Sequence, residues 1–341
     1  MGVVLNDAEI GEKKNMNLPG CEVKLPTITE KDRIDIVEFG VKNGVDMIAL
    51  SFARTAKDIE DCRDLLGPKG AHIKIIAKIE NQEGMHNYSE ILDSADGIMV
   101  ARGDLGMEIP PQKVFIAQKW MIQQARKVGK PVIVATQMLE SMIKNPRPTR
   151  AEAGDVANAI LEGADAVMLS GETANGSYPL HAVNTMVNVC KEAEACIDFK
   201  KEFNQMMYNE YATTKYQEQD AMSLSAVQLS MKLKCTAIIC FTETGLIPRL
   251  LSKYRPNCHI VAVSIDDKVM RGLTLSYGVI SLKVPSFQGV DLIIPYAIKS
   301  AIERGIVAEG DSLVVMQGVN EEQPDQENIL KVVKANTKAA N

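Results

Sequence analysis

The sequence predicts an α/β fold in two units, and three observations predict it. Five short apolar runs recur with helical segments between them, spaced by roughly 25 to 35 residues, the size of one strand-helix unit. The runs are nearly continuous in apolar residues, as strands of a covered parallel sheet are. Polar residues cluster where the runs end: Ser51, Lys78, Glu80, Asp104, Thr136, Ser170 and Glu172.

In chain order, the first unit reads as follows. Thr27-x-x-Glu30 fits a capping box that opens a helix, and Gly44 fits its stop. The first run is Val45 to Ser51, followed by Ile73 to Glu80 and Gly97 to Ala101. Lys113 to Val128 reads as a helix with Val114, Ala117, Met121 and Ala125 on one face, ended by Gly129. The fourth run is Pro131 to Thr136. Thr149-x-x-Glu152 is a second capping box, and Asp165 to Ser170 is the fifth run. Polar strand ends are the usual active-site address of a (β/α)₈ barrel. That fold needs eight strands, and five are visible.

The chain changes character after about Ile197. Lys200 to Asp220 is polar. Strand-like runs then return at Ala237–Phe241, Ile260–Ser264, Val279–Val284 and Ser312–Met316, alternating with helical stretches such as Ser223–Lys232 and Ile294–Arg304. This predicts one sheet with helices on both faces.

Composition removes several classes. The 341 residues carry a formal net charge of −6, which argues against a nucleic-acid surface. The seven cysteines are scattered, mostly in apolar runs, and form no C-x-x-C; they read as reduced thiols of a cytoplasmic protein. No apolar stretch nears the ~20 residues that cross a bilayer. The N-terminus lacks the basic and apolar regions of a secretory signal.

The chemistry concentrates in two runs. Lys78 and Glu80 are two apart, so on a strand they point to one side. Asp104 follows the next run. If these strands are parallel neighbours, one ammonium and two carboxylates converge at their carboxyl ends. A lysine beside two acids suits a divalent metal and an anionic substrate. Spacing alone leaves a plain surface ion pair about equally open for Lys78 and Glu80, and a helix cap open for Thr136 and Ser170.

Ile73 to Met85, Ala101-Arg-Gly-Asp-Leu-Gly106, Ala135 to Ser141, Asn145 to Glu152 and Leu169 to Ala174 resemble, in order, motifs of the pyruvate kinase family. Ser252-Lys-Tyr-Arg-Pro256 and Gly310-Asp-Ser312 extend the resemblance across the second unit. It implies phosphoryl transfer from phosphoenolpyruvate to ADP in glycolysis, giving pyruvate and ATP. It implies a cytoplasmic, allosteric homotetramer. Strands 4–8 of the barrel fall in residues 18–197, with an α/β three-layer regulatory domain in 198–341. Residues 1–17 resemble the end of an inserted β domain. In the family three strands precede this segment, so catalysis by the chain as written stays open. The resemblance assigns Mg²⁺ (or Mn²⁺) to Glu80 and Asp104, and catalysis to Lys78, Thr136, Ser170 and Glu172. Substrate contacts fall to Ala101, Gly103, Asp104 and Thr136. Lys14 matches a nucleotide contact and Ser51 a K⁺ ligand. Thr242, Thr244 and Gly245 match an effector site. Four acids in Gln317 to Glu327 would repel fructose 1,6-bisphosphate there. Two rivals remain: another Mg²⁺-enolate barrel, such as an aldolase or lyase, and a non-catalytic assembly or effector-binding piece.

Overall fold

In the computed structural model, residues 6–9, 11–12, 15–21, 23–210 and 217–336 are described. Five parallel strands form the first sheet in chain order: β1 (Met47–Leu50), β2 (Lys74–Ile79), β3 (Gly97–Ala101), β4 (Val132–Ala135) and β5 (Ala166–Met168). Alternation along each strand divides the side chains between two faces. Ile75, Ala77, Ile79, Ile98, Val100, Val132 and Val134 pack outward against helices, on residues such as Ile59, Ile91, Met121 and Ile122. Ile76, Met99 and Ala135 form a smaller cluster on the inner face, with Met168 beside it. Lys78 shares parity with Ile76 and pairs in register with Met99, so it belongs to that inner face. The sheet is the barrel-like part of the molecule.

The second sheet runs β10-β9-β6-β7-β8, from β6 (Ala237–Phe241), β7 (His259–Ser264), β8 (Val279–Lys283), β9 (Ser312–Gly318) and β10 (Asn328–Lys334). Its two faces bury separate cores. Ile239, Phe241, Val263 and Val315 pack on the helix Val290–Glu303, while Ile238, Cys240, Ala262 and Met316 pack on the helices Glu218–Leu233 and Leu246–Lys253. This is an α/β unit of three layers.

The structure corrects one local reading and adds to two others. The first capping box lies at Thr29 and Asp32, not at Thr27 and Glu30. Thr27 Oγ1 instead accepts from Arg54 at 3.0 Å, whose guanidinium also takes the Leu25 carbonyl. Within the polar stretch, Phe199–Glu210 is a helix, with Phe203 buried and meeting Tyr254 edge-on. The antiparallel strand β10 is additional to the runs read from sequence. The second capping box is present: Glu152 accepts from Thr149 N at 2.7 Å and from Ser141 N at 2.7 Å and Oγ at 2.6 Å. Burial opposes its charge, but these bonds keep its pKa below the usual value.

Candidate active site at the strand ends

The parallel pairing of β2 with β3 and β3 with β4 sets Glu80, Ala101 and Thr136 at neighbouring carboxyl ends. Lys78 Nζ lies 3.0 Å from Glu80 Oε1 and donates to Ser51 Oγ at 2.9 Å. The two-residue spacing thus does put ammonium and carboxylate on one side. Glu80 is only 2% exposed, and its Oε2 accepts from Phe52 N at 2.6 Å. Phe52 adopts φ +53 to aim that N–H, a left-handed geometry uncommon outside glycine.

Asp104 lies in the first turn of the helix Arg102–Glu108, half-buried. Its Oδ1 accepts from the amides of Asn15 at 2.8 Å and Asn17 at 3.4 Å, residues that the sequence reading did not connect to it. Gly103 faces Thr136 so closely that a Cβ there would stand 2.8 Å from Thr136 Cγ2. Any side chain there would force Thr136 to shift. Thr136 holds φ +76 and Gln137 φ +55. A β-branched residue in that region stores roughly 1–3 kcal/mol of strain. Arg102 donates to the Thr136 carbonyl from Nε at 3.1 Å and Nη2 at 2.8 Å.

Ser170 follows β5 closely, and its N–H donates to Glu172 Oε2 at 2.8 Å. Glu172 is fully buried, and its Oε1 accepts from Leu139 N at 2.9 Å. Its carboxylate therefore ties the turns after β4 and β5 together. Lys14 lies outside the described residues.

The turn after β6 already holds an anion. Asp325 Oδ1 accepts from Thr242 Oγ1 at 2.6 Å, and Oδ2 accepts from Glu243 N at 3.1 Å, Thr244 N at 2.9 Å and Thr244 Oγ1 at 2.8 Å. Gly245, at φ +82, then starts the helix Leu246–Lys253. The acidic loop was read only as a source of repulsion; one of its acids sits inside the cradle. The sequence offered no sign of it, because the contact spans 83 residues. Replacing Asp325 with alanine leaves four donors without this acceptor. Unfolding free energy is expected to fall by about 1–3 kcal/mol. Millimolar phosphate is expected to raise the melting temperature of that variant and not of the unaltered protein. Thermal unfolding with and without phosphate checks both.

Among the described residues no three His, Cys, Asp or Glu side chains gather as a metal cage. Two carboxylates at adjacent strand ends suit Mg²⁺ nonetheless, because it keeps water and substrate oxygens as ligands.

Comparison with known proteins follows the same geometry. Residues 2–183 match the family described as pyruvate kinase, barrel domain, and residues 220–333 match pyruvate kinase, alpha/beta domain. Pyruvate kinase of Eimeria tenella is 53% identical over 330 residues, covering 97% of this chain and 62% of the relative. That of Dictyostelium discoideum is 46% identical, covering 97% of this chain and 65% of the relative. The crystal structure of a pyruvate kinase from Cryptosporidium parvum superposes with a TM-score of 0.90 at 46% identity, covering 96% of this chain and 66% of that one. The chain thus spans less than two thirds of the length of these relatives. Within that span both sheets are shared, and the chain belongs to the pyruvate kinase family.

Proposed function

We propose that the protein acts in phosphoryl transfer from phosphoenolpyruvate to ADP, giving pyruvate and ATP in glycolysis, with residues 18–197 as catalytic domain and 198–341 as regulatory domain. The observation that carries this reading is the gathering of Lys78, Glu80, the Gly103–Asp104 turn and Thr136 at the ends of β2, β3 and β4. The bond between phosphorus and the enol oxygen breaks as a β-phosphate oxygen of ADP bonds to phosphorus. The enolate left behind takes a proton at its methylene carbon. Negative charge develops on the transferring oxygens and on the enolate, so a fixed cation is worth most there. Lys78 is that cation, held by Ser51 and Glu80. Glu80 and Asp104 are the residues to hold Mg²⁺, which when bound neutralises phosphate charge. The N–H groups of the Ala101–Asp104 turn receive the substrate carboxylate. Thr136 faces the same turn and orders the proton that reaches the enolate. Ser170 lies at the next strand end, and Glu172 keeps it in place through its N–H.

K⁺ fits less well. Ser51 Oγ is the candidate oxygen, and Lys78 already donates to it. The cradle at Thr242, Thr244 and Gly245 is assigned to Asp325 rather than to fructose 1,6-bisphosphate. The assembly proposed is a cytoplasmic homotetramer.

The test is a coupled assay of pyruvate formation on the 341-residue chain and on any longer form that its gene encodes. The expected result is turnover that requires phosphoenolpyruvate, ADP and Mg²⁺ together in at least one folded form. Folded protein inactive in every form sinks the reading.

A further inference from the structure

Two unusual backbone positions follow one another after β4, and a single side chain from another strand end holds both. Thr136 and Gln137 have φ of +76 and +55. Arg102 Nε and Nη2 donate to the Thr136 carbonyl at 3.1 and 2.8 Å, and Nη2 reaches the Gln137 carbonyl at 3.3 Å. The other edge of the guanidinium meets Asp155 in a two-pronged pair, 2.7 Å at Nη1 and 2.7 Å at Nη2. Gln118 Oε1 accepts from Nη1 at 3.4 Å. The Arg102 side chain is 10% exposed, so these contacts are little diluted by water.

The arrangement needs a planar fork. One cation must reach two successive carbonyls and a carboxylate at once, and a lysine ammonium cannot span that geometry. Asp155 stands on the helix Arg150–Leu161, so the fork is braced from a rigid element. Gly103, the next residue, leaves room for Thr136: a Cβ there would stand 2.8 Å from the Thr136 methyl carbon. Arg102 thus holds Thr136 by its carbonyl, and Gly103 accommodates its side chain. The Nε, Nη1 and Nη2 donors of the fork are all taken by protein acceptors: the Thr136 and Gln137 carbonyls, Asp155, Gln118 and Met138 Sδ at 2.8 Å.

We infer that Arg102 is a positioning residue: it keeps Thr136 in the left-handed conformation, and so fixes where the Thr136 hydroxyl stands. The inference rests on the reading of Thr136 given above only for its kinetic consequence.

The experiment has a structural and a kinetic arm, both on Arg102→Lys. A high-resolution structure of the variant is expected to show Thr136 outside the left-handed region. Retention of φ near its present value overturns the inference whatever the activity. In the kinetic arm kcat is expected to fall about 10- to 100-fold, the cost of misplacing a reacting group by an ångström, with KM for ADP unchanged. In a Thr136→Ala background the same replacement is expected to change kcat less than twofold, because the group being positioned is gone. Additive losses, or an equal rise in KM for ADP, overturn it. The kinetic arm is run on a form that makes pyruvate; if no folded form does, the functional reading fails and the structural arm alone decides. Should Arg102→Lys be too unstable to handle, adding Thr136→Gly removes the strain. The double variant is then expected to melt above Arg102→Lys, and a lower melting point counts against the inference.

Discussion

If the proposed activity holds, replacing Lys78 with methionine is expected to lower kcat for pyruvate formation on the order of 10³-fold or more. Methionine keeps most of the length and the apolar stem of the side chain; it deletes the charge and the hydrogen bond to Ser51 Oγ. The Lys78 side chain is 23% exposed and the Glu80 side chain 3%, so the pair sits at the boundary between core and solvent. There a fixed charge acts at lower effective dielectric than in water. The cost to folding is far smaller. Glu80 loses one partner but keeps the Phe52 N–H at 2.6 Å. An unsatisfied buried oxygen of this kind costs about 1–3 kcal/mol. The two effects separate experimentally: steady-state kinetics reads the first, and denaturant unfolding the second. A variant that keeps more than a tenth of the activity would remove Lys78 from the chemistry. A variant that does not fold would make Lys78 structural first.

Much of the fold was legible because it depends on parity and period. The run Gly97 to Ala101 is β3 residue for residue, and Ala237 to Phe241 is β6. The two-residue step from Lys78 to Glu80 became a 3.0 Å contact for the same reason. The runs gave the strands of both sheets except β10. That strand, Asn328–Lys334, carries Lys331 and Lys334 among its apolar residues and follows a long acidic loop. As an antiparallel edge strand it lacks the fully apolar pattern that marks the buried ones. Other features depended on distant partners. Nothing near Thr136 in sequence announces a positive φ; the arginine that donates to the Thr136 carbonyl is 34 residues away. Asn15 and Asn17 reach Asp104 across 89 and 87 residues. Glu172 was read from its place at a strand end, but its buried oxygens show a carboxylate occupied by backbone. Spacing locates a side chain on a face. It does not say which group that face will meet.

Arg255→Met is the substitution expected to cost most stability, about 3–5 kcal/mol, the usual loss when one partner of a buried ion pair is removed. Arg255 follows the helix Leu246–Lys253 closely, at φ +49, and reaches from the second unit into the first. Its Nη2 lies 3.0 Å from Asp165 Oδ1 and donates to the Gly163 carbonyl at 2.7 Å. The side chains are 7% and 8% exposed. Asp165 also accepts from Val132 N at 2.9 Å and from Tyr277 N at 3.2 Å, so the pair anchors the start of β4 to the turn before β8. The Arg255 guanidinium carbon stands 4.2 Å from the Tyr277 ring centroid, which adds a cation–π contact.

Two terms work against that loss. Arg126 is buried nearby, and its pKa is lowered first by burial and then by the charge of Arg255; removing Arg255 relieves the repulsion. Arg255 Nη1 has no partner among the described residues, so the native side chain is not fully compensated. Both place the expected value at the lower end of the range rather than reversing its sign, because an unpaired Asp165 in direct contact is the larger penalty. A cycle with Asp165→Asn decides this. If the lost pair dominates, the double variant is less destabilised than the sum of the single ones, by more than about 1 kcal/mol. If the losses simply add, the two residues act independently, and the pair is not what anchors β4 to the turn before β8.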